Sequence, residues 1–193
     1  NLGEVIDATV HLIDNPEATP DDLMEFVKGP DFPTGALIMG RAGIMDAYRT
    51  GRGTIRMRAV AEIEESSRGG DKIVISQLPY QVGPNAVLSK IKELVATKEI
   101  EGISDANEES SGNDTRIVIT LKRDAPGLVI LNNLYKRTPM QTSFSVNTVA
   151  LVDGVPRTLN LRDTLFHYTE HQVEVIPRRT EFPRKKAHER THH

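Results

Sequence analysis

Residues 54–64 have the sequence Thr-Ile-Arg-Met-Arg-Ala-Val-Ala-Glu-Ile-Glu, in which apolar and polar side chains alternate. Successive side chains of a β-strand point to opposite faces, so this pattern predicts one strand with a core face and a solvent face. The polar, glycine-rich residues 66–70 predict a turn, and residues 72–78 predict the returning strand. The sequence therefore predicts a β-hairpin here.

The rest of the chain places helices between further strands. After the hairpin, the patterns predict a helix over 85–97, strands over 100–104 and 116–121, a helix over 126–135, a strand over 141–152, a type I′ turn at Asp153–Gly154 and a strand over 155–159. This order favours an α+β fold over a doubly wound α/β fold. We expect a two-layer sandwich with a mostly antiparallel sheet, helices on one face of it, and flanking helices at both ends.

Helices are predicted before the hairpin and again from about residue 160. Before the hairpin, the patterns predict helices over 2–14 and 20–27, an extended connector over 28–34, a buried strand over 36–39 and a short helix over 44–48 that Gly51 ends. A last helix begins near residue 160. We expect it to end before Pro177, because a proline inside a helix removes a backbone hydrogen bond and clashes with the preceding turn. Residues 178–193 would then form an irregular basic segment.

The composition excludes several classes of protein. The 193 residues are 38% hydrophobic, and no apolar run approaches the roughly 20 residues of a membrane span. The absence of cysteine excludes disulfides, thiolate metal sites and a cysteine nucleophile. The formal net charge of −3 combines an acidic body with a basic end, which is compatible with a polyanion partner or with ordinary solvation. Residues 1–4 contain neither an initiator methionine nor a signal-peptide core, which predicts an internal segment of a longer protein.

Motifs of known enzyme classes are absent from the sequence. There is no phosphate-binding loop, no zinc-type cluster of histidines and acids, and no serine in a nucleophile-elbow context. His167 and His171 lie four residues apart on the predicted last helix, but the acid of a His-Glu-x-x-His motif is missing. We interpret them as surface or packing histidines, and we predict no catalytic residue, metal ligand or cofactor site in this chain.

Four arginines cluster around the start of the first hairpin strand: Arg49, Arg52, Arg56 and Arg58. The two-residue period of a strand places Arg56 and Arg58 on one face, about 6.5–7 Å apart at the backbone. This spacing is close to the roughly 7 Å between successive phosphates of a nucleic-acid strand. The four arginines are therefore candidate phosphate-binding residues.

Two interpretations of these arginines stay open at this point. Gly51 and Gly53 flank the cluster and would let a nucleic-acid backbone approach closely, which favours a phosphate-binding surface. Alternatively, the arginines belong to an ordinary solvated strand face and pair with the neighbouring Glu62 and Glu64.

Six motifs occur in the order found in the A subunits of bacterial DNA gyrase. They are Gly-Pro-Asp-Phe-Pro-Thr (29–34), Ala-Tyr-Arg-Thr-Gly-Arg-Gly (47–53), Leu-Pro-Tyr-Gln-Val (78–82), Glu-Gly-Ile-Ser (101–104), Arg-Ile-Val-Ile (116–119) and Asn-Asn-Leu-Tyr-Lys (132–136). The chain thus resembles these subunits over nearly its whole length. Residues 141–144, Gln-Thr-Ser-Phe, are more similar to gyrase than to its relative, topoisomerase IV.

The resemblance implies a type IIA topoisomerase of A2B2 composition, which cuts one duplex, passes another through the gap and reseals the break. The implied partners are duplex DNA, the B subunit of gyrase and a second copy of the A subunit. The implied location is the cytoplasm. ATP and Mg²⁺ would act through the B subunit. The implied regions are the end of a winged-helix catalytic head with its connector (1–34), a tower domain (35–159) and the start of a coiled-coil arm (160–193). In the family, the tower supports the bent DNA through phosphate contacts, which favours the DNA-binding interpretation of the arginines.

The resemblance also implies that the catalytic tyrosine lies outside this chain. The family's nucleophile has an Arg-Tyr-Thr context ahead of all the tower motifs, whereas Tyr168 follows those motifs and is preceded by His167. We therefore expect Tyr168 to be a packing residue of the last helix, and the chain to be inactive alone. Two alternatives stay open: the corresponding part of topoisomerase IV, and a stand-alone tower-like protein that acts as a partner or decoy of topoisomerases.

Overall fold

A computed structural model describes residues 2–172 of the chain. Its helices are α1 (Leu2–Asp14), α2 (Pro20–Leu23), α3 (Ala42–Thr50), α4 (Pro84–Ala96), α5 (Gly127–Arg137) and α6 (residues 161–172). Its strands are β1 (Leu37–Ile38), β2 (Arg52–Arg58), β3 (Val60–Glu64), β4 (Lys72–Gln77), β5 (Ile103–Glu108), β6 (Ile117–Leu121), β7 (Gln141–Asn147), β8 (Val149–Val152) and β9 (Val155–Thr158). The predicted α+β class is confirmed. The predicted end of the last helix at Pro177 and the basic segment 178–193 lie outside the described residues.

The strands form three sheets, with the orders β1-β2-β7, β3-β4-β6-β5 and β8-β9, instead of the single sheet that was predicted. The described pairs of the four-stranded sheet are all antiparallel. None of the helices within residues 2–172 is long and apolar enough to cross a membrane.

The chain divides into two compact units, each with its own core. The described residues of one unit are 2–30, 44–53 and 146–172, and the other unit comprises 31–43 and 54–145. These boundaries differ from the predicted ones at residues 34 and 159. The division into head, tower and arm stays a prediction, because compactness alone does not identify such regions.

The core of the unit 31–43 and 54–145 lies between the four-stranded sheet and two helices. Alternate residues of β4 and β6 are fully buried, as the strand period requires: Ile73, Ile75, Ile117 and Ile119. They share one cluster with Val87 and Ile91 of α4 and with Leu134 of α5. Burying one such aliphatic side chain contributes about 1.5–3 kcal/mol, so this cluster holds the helices on one face of the sheet.

The smaller core of the other unit joins α1, the segment around α2, and α6. Its buried members are Ala8, Leu12, Ala18, Leu23, Val27 and Leu165. Arg162 of α6 reinforces this packing, because its Nε and Nη2 donate hydrogen bonds to the carbonyl oxygens of Ala18 (3.1 Å) and Pro16 (2.8 Å). The opposite face of α1 is apolar but lies open: Leu2, Ile6, Val10 and Ile13 are each more than half exposed.

Residues 54–64 form parts of two strands instead of the one predicted. β2 ends at Arg58, and Ala59 donates its backbone N–H to the carbonyl oxygen of Met140 (2.7 Å). β3 then pairs with β4, with a register shift between Val60 and Ala61. The predicted hairpin is confirmed for β3 and β4, whereas β2 joins another sheet. Val60 is the local signal of this break, because it places an apolar residue on the polar face.

Residues 141–152 are also two strands where one was predicted. Thr148 separates β7 from β8, because its N–H bonds the carbonyl oxygen of Gly51 (2.8 Å) and its own carbonyl accepts from Leu159 (2.8 Å). Both residues of the predicted type I′ turn have a positive φ, 53° at Asp153 and 78° at Gly154. The turn and the β8-β9 hairpin are therefore confirmed.

Two shorter predictions were wrong in burial or length. The strand predicted over 36–39 is the two-residue β1, and it is not buried, because Leu37 is 50% exposed. The capping box of Thr19 and Asp22 is present, yet α2 ends at Leu23. The backbone tightens there: the N–H of Glu25 bonds the carbonyl oxygen of Asp22, three residues back (3.3 Å).

Candidate nucleic-acid interface

Gly51 determines how helix α3 gives way to strand β2. It has φ 83°, in the left-handed region that favours glycine, and its N–H caps the helix by bonding the carbonyl oxygen of Ala47 (2.8 Å). A Cβ at this position would lie 2.5 Å from the carbonyl oxygen of Leu159. The expectation that Gly51 leaves room for a nucleic-acid backbone was therefore wrong, because the chain itself fills that space.

Arg49 is exposed on the last turn of α3, and its charge is matched by an acid. Its Nε and Nη2 donate to the two carboxylate oxygens of Asp21, at 2.7 and 2.8 Å. This fork-shaped pair lowers the pKa of Asp21, mainly through the hydrogen bond, and raises the pKa of Arg49. A phosphate that binds Arg49 must compete with Asp21.

Arg52 and Arg56 are the exposed arginines of β2. Across residues 2–172, neither of them forms an ion pair with a carboxylate. The alternative in which these arginines pair with Glu62 and Glu64 is not found. Both glutamates lie on β3, which belongs to another sheet. Arg52 and Arg56 thus each present an uncompensated positive charge to solvent.

Arg58 differs from its neighbours because it is half-buried and held by neutral groups. Its guanidinium carbon lies 4.4 Å from the centre of the Tyr135 ring, and its Nε and Nη2 both donate to Oε1 of Gln141, at 2.9 and 2.6 Å. Burial raises the pKa of Tyr135, and the nearby Arg58 charge opposes that rise. The sequence reasoning missed Tyr135 and Gln141 as partners, although both lie within family motifs.

The strand that carries Gln141 is anchored on its other face by aromatic rings. Phe144 of β7 meets Phe32 at 5.4 Å and Tyr80 at 5.6 Å between ring centres, and Phe32 and Tyr80 lie 5.5 Å apart. Such pairs contribute about 0.5–1.5 kcal/mol each beyond the area they bury. Three separate sequence motifs therefore meet in one cluster that fixes β7.

The remaining candidate residues lie on α6. Tyr168 is 55% exposed, so the prediction that it packs within the helix was wrong. Nδ1 of His167 lies 3.3 Å from a carboxylate oxygen of Glu170, and His171 is exposed. In the described part of the chain, no three His, Asp or Glu side chains are grouped so that they could hold a metal ion.

Comparison with known proteins gives one consistent family. The family model for the DNA gyrase/topoisomerase IV A subunit matches residues 1–193. The chain belongs to this family. It is 53% identical over 194 residues to the DNA gyrase A subunit of Pseudomonas aeruginosa, covering 100% of the chain and 21% of that protein. It is also similar to the DNA gyrase A subunits of Staphylococcus epidermidis (51% over 193 residues; 100% of the chain, 22% of the relative) and Halalkalibacterium halodurans (52% over 191 residues; 99% and 23%).

These relatives in the DNA gyrase/topoisomerase IV family are much longer than the chain, which spans about a fifth of their length. The family resemblance seen in the six motifs is thus confirmed. Family membership also gives the aromatic cluster a context, because Phe32 and Tyr80 belong to two of those motifs and Phe144 to the gyrase-like residues 141–144.

Proposed function

We propose that the chain is the DNA-supporting tower region of the A subunit of DNA gyrase. The observation that carries this proposal is the solvent face of β2, where Arg52 and Arg56 are exposed and have no acidic partner among residues 2–172. The identity of more than 50% to gyrase relatives supports the assignment to gyrase over topoisomerase IV.

In this proposal, the arginines bind phosphates and do not read sequence. Each guanidinium that contacts a phosphate releases a condensed counterion, so binding weakens as salt increases and depends little on base sequence. Arg52 and Arg56 are the primary contacts because they need not exchange an acid for a phosphate. Arg49 contributes less, since Asp21 already occupies two of its donors.

The parent enzyme would be an ATP-dependent type IIA topoisomerase that introduces negative supercoils. Its proposed partners are duplex DNA, the B subunit of gyrase and a second copy of the A subunit, in an A2B2 assembly. We propose that this assembly acts in the cytoplasm. ATP and Mg²⁺ would act through the B subunit, whereas the nucleophilic tyrosine would lie in another part of the parent chain. This chain would supply electrostatic support for the cut duplex.

The three predicted regions belong to the same proposal. Residues 1–34 would end the winged-helix head, 35–159 would form the tower and 160–193 would begin the coiled-coil arm. The exposed apolar face of α1 supports the first assignment, because contiguous exposed apolar surface commonly marks a protein contact. The remainder of a head domain could supply that contact.

Salt-dependent DNA binding by the full-length parent protein tests the proposed function. We expect Arg52→Ala and Arg56→Ala each to make the slope of log K against log salt less steep by about 0.9, equally on two duplexes of unrelated sequence. Lys92→Ala, which removes one positive charge from the exposed face of α4, is the matched control and should leave the slope unchanged. Unchanged slopes for both arginine variants would contradict the proposed phosphate contacts and favour an ordinary solvated strand face.

The proposal also states that this chain does not cleave DNA alone. Incubated with supercoiled plasmid, Mg²⁺ and a cleavage-stabilising drug, the chain should yield no protein-linked breaks. Because Tyr168 is exposed, it is open to reaction in this assay. A covalent DNA adduct on Tyr168 would contradict the proposal that the nucleophilic tyrosine lies in another part of the parent chain.

A further inference from the structure

The surroundings of Arg58 hold its position without neutralising its charge. The Tyr135 ring covers one face of the guanidinium at 4.4 Å, and Oε1 of Gln141 takes the hydrogen bonds from Nε and Nη2. An arginine has five N–H donors, and the two bonds described here use two of them. The outer end of the guanidinium, with both N–H groups of Nη1, is not used by these bonds.

A fully buried cation is normally paired with an acid, and water screens the charge of a half-buried one only in part. Within residues 2–172, Arg58 has no carboxylate partner. Arg49 shows the contrast in the same chain, since Asp21 binds it through both carboxylate oxygens. At Arg58, the same edge of the guanidinium is bound by an amide oxygen, which fixes the orientation and leaves the full positive charge.

We propose that Tyr135 and Gln141 are positioning residues that orient Arg58 to bind one DNA phosphate through its outer N–H groups. The inference rests on the proposed function, because it takes a nucleic-acid backbone as the ligand. A guanidinium matches the geometry of phosphate oxygens, and a fixed one loses less conformational freedom on binding than a free side chain. Phe144, Phe32 and Tyr80 extend this support by fixing the strand of Gln141.

Gln141→Glu in the full-length parent protein separates this role from a purely structural one. The glutamate would hold Arg58 in the same place and would add an ion pair, so the thermal unfolding midpoint should stay equal or rise. The charge available to a phosphate would be cancelled, so the salt slope of duplex binding should become less steep by about 0.9. At 0.1 M salt, this corresponds to an affinity loss on the order of eightfold.

Four further variants make the test specific. Ser143→Glu places the same negative charge two residues along β7, where Ser143 is exposed, and should lower the affinity much less than Gln141→Glu. Arg58→Ala should reproduce the slope change of Gln141→Glu. Tyr135→Leu removes the aromatic ring face and should weaken DNA binding. Tyr135→Phe keeps that face and should bind DNA as the wild type does.

The inference is overturned if Gln141→Glu and Arg58→Ala both bind duplex DNA with the wild-type salt slope while the protein stays folded. If Arg52→Ala and Arg56→Ala still change the slope in that case, the proposed DNA-supporting function stands and Arg58 is structural. If none of the four variants changes it, both the inference and the proposed function fail.

Discussion

Replacing Gly51 by alanine tests the close approach that shapes the turn between α3 and β2. Two costs add at this position. A non-glycine residue in the left-handed region costs about 1–2 kcal/mol. The new Cβ would also lie 2.5 Å from the carbonyl oxygen of Leu159 and 2.7 Å from Cγ2 of Thr158, and such overpacking costs about 1–3 kcal/mol. We therefore expect Gly51→Ala to lower the free energy of unfolding by about 2–5 kcal/mol.

Gly69 offers a matched control for the first of these costs. Its φ is 84°, nearly that of Gly51, but a Cβ there would have no heavy atom within 4 Å. Gly69→Ala should therefore cost only the backbone share, about 1–2 kcal/mol. Thermal and urea unfolding of both variants measure the difference. Equal destabilisation by the two substitutions would refute the steric reasoning at Gly51.

Two further predictions concern an ion pair and the core. The pKa of Asp21 is lowered in the folded chain, so its pair with Arg49 stabilises the fold above about pH 4 and this contribution is lost as the pH falls. The urea midpoint of Asp21→Asn should therefore fall less than that of the wild type as the pH drops below about 4. Parallel pH curves for the two proteins would contradict this prediction. Ile119→Ala should lower the free energy of unfolding by about 2–5 kcal/mol, because the side chain is fully buried. Val149→Ala, at a position that is 53% exposed, should lower it much less. Similar losses of stability in the two variants, measured by urea unfolding, would contradict the burial argument.

Local patterns in the sequence predicted which helices and strands form better than they predicted where the strands are interrupted. Helix α4, the β3-β4 hairpin and the type I′ turn at Asp153–Gly154 follow from periodicity and turn chemistry, and all three are present. The breaks at Ala59 and Thr148 were missed, because each depends on a hydrogen bond to a distant carbonyl, that of Met140 or of Gly51. Val60, an apolar residue on the polar face, marks the first break locally, but no spacing within either strand encodes the distant partner.

At the candidate interface, the sequence likewise predicted local features but not the partners of the arginines. The two-residue period placed Arg56 and Arg58 on one face of the strand, and the structure exposes Arg56 there but half-buries Arg58. The groups that distinguish the other two arginines are distant in sequence: Asp21 lies 28 residues from Arg49, and Gln141 lies 83 residues from Arg58. Charge and spacing could suggest four equivalent arginines, and only the folded chain shows that one is paired with an acid and one is held by neutral groups.

Photo-crosslinking at position 56 tests most directly whether this strand faces DNA. Arg56 would be replaced by a photoreactive benzoylphenylalanine in the full-length parent protein, and Lys92 by the same residue as the control on α4. With the A2B2 complex on duplex DNA, the account predicts a protein–DNA crosslink from position 56 and none from position 92. Efficient complex formation with no crosslink from position 56, or an equal yield from both positions, would contradict the claim that β2 supports the duplex.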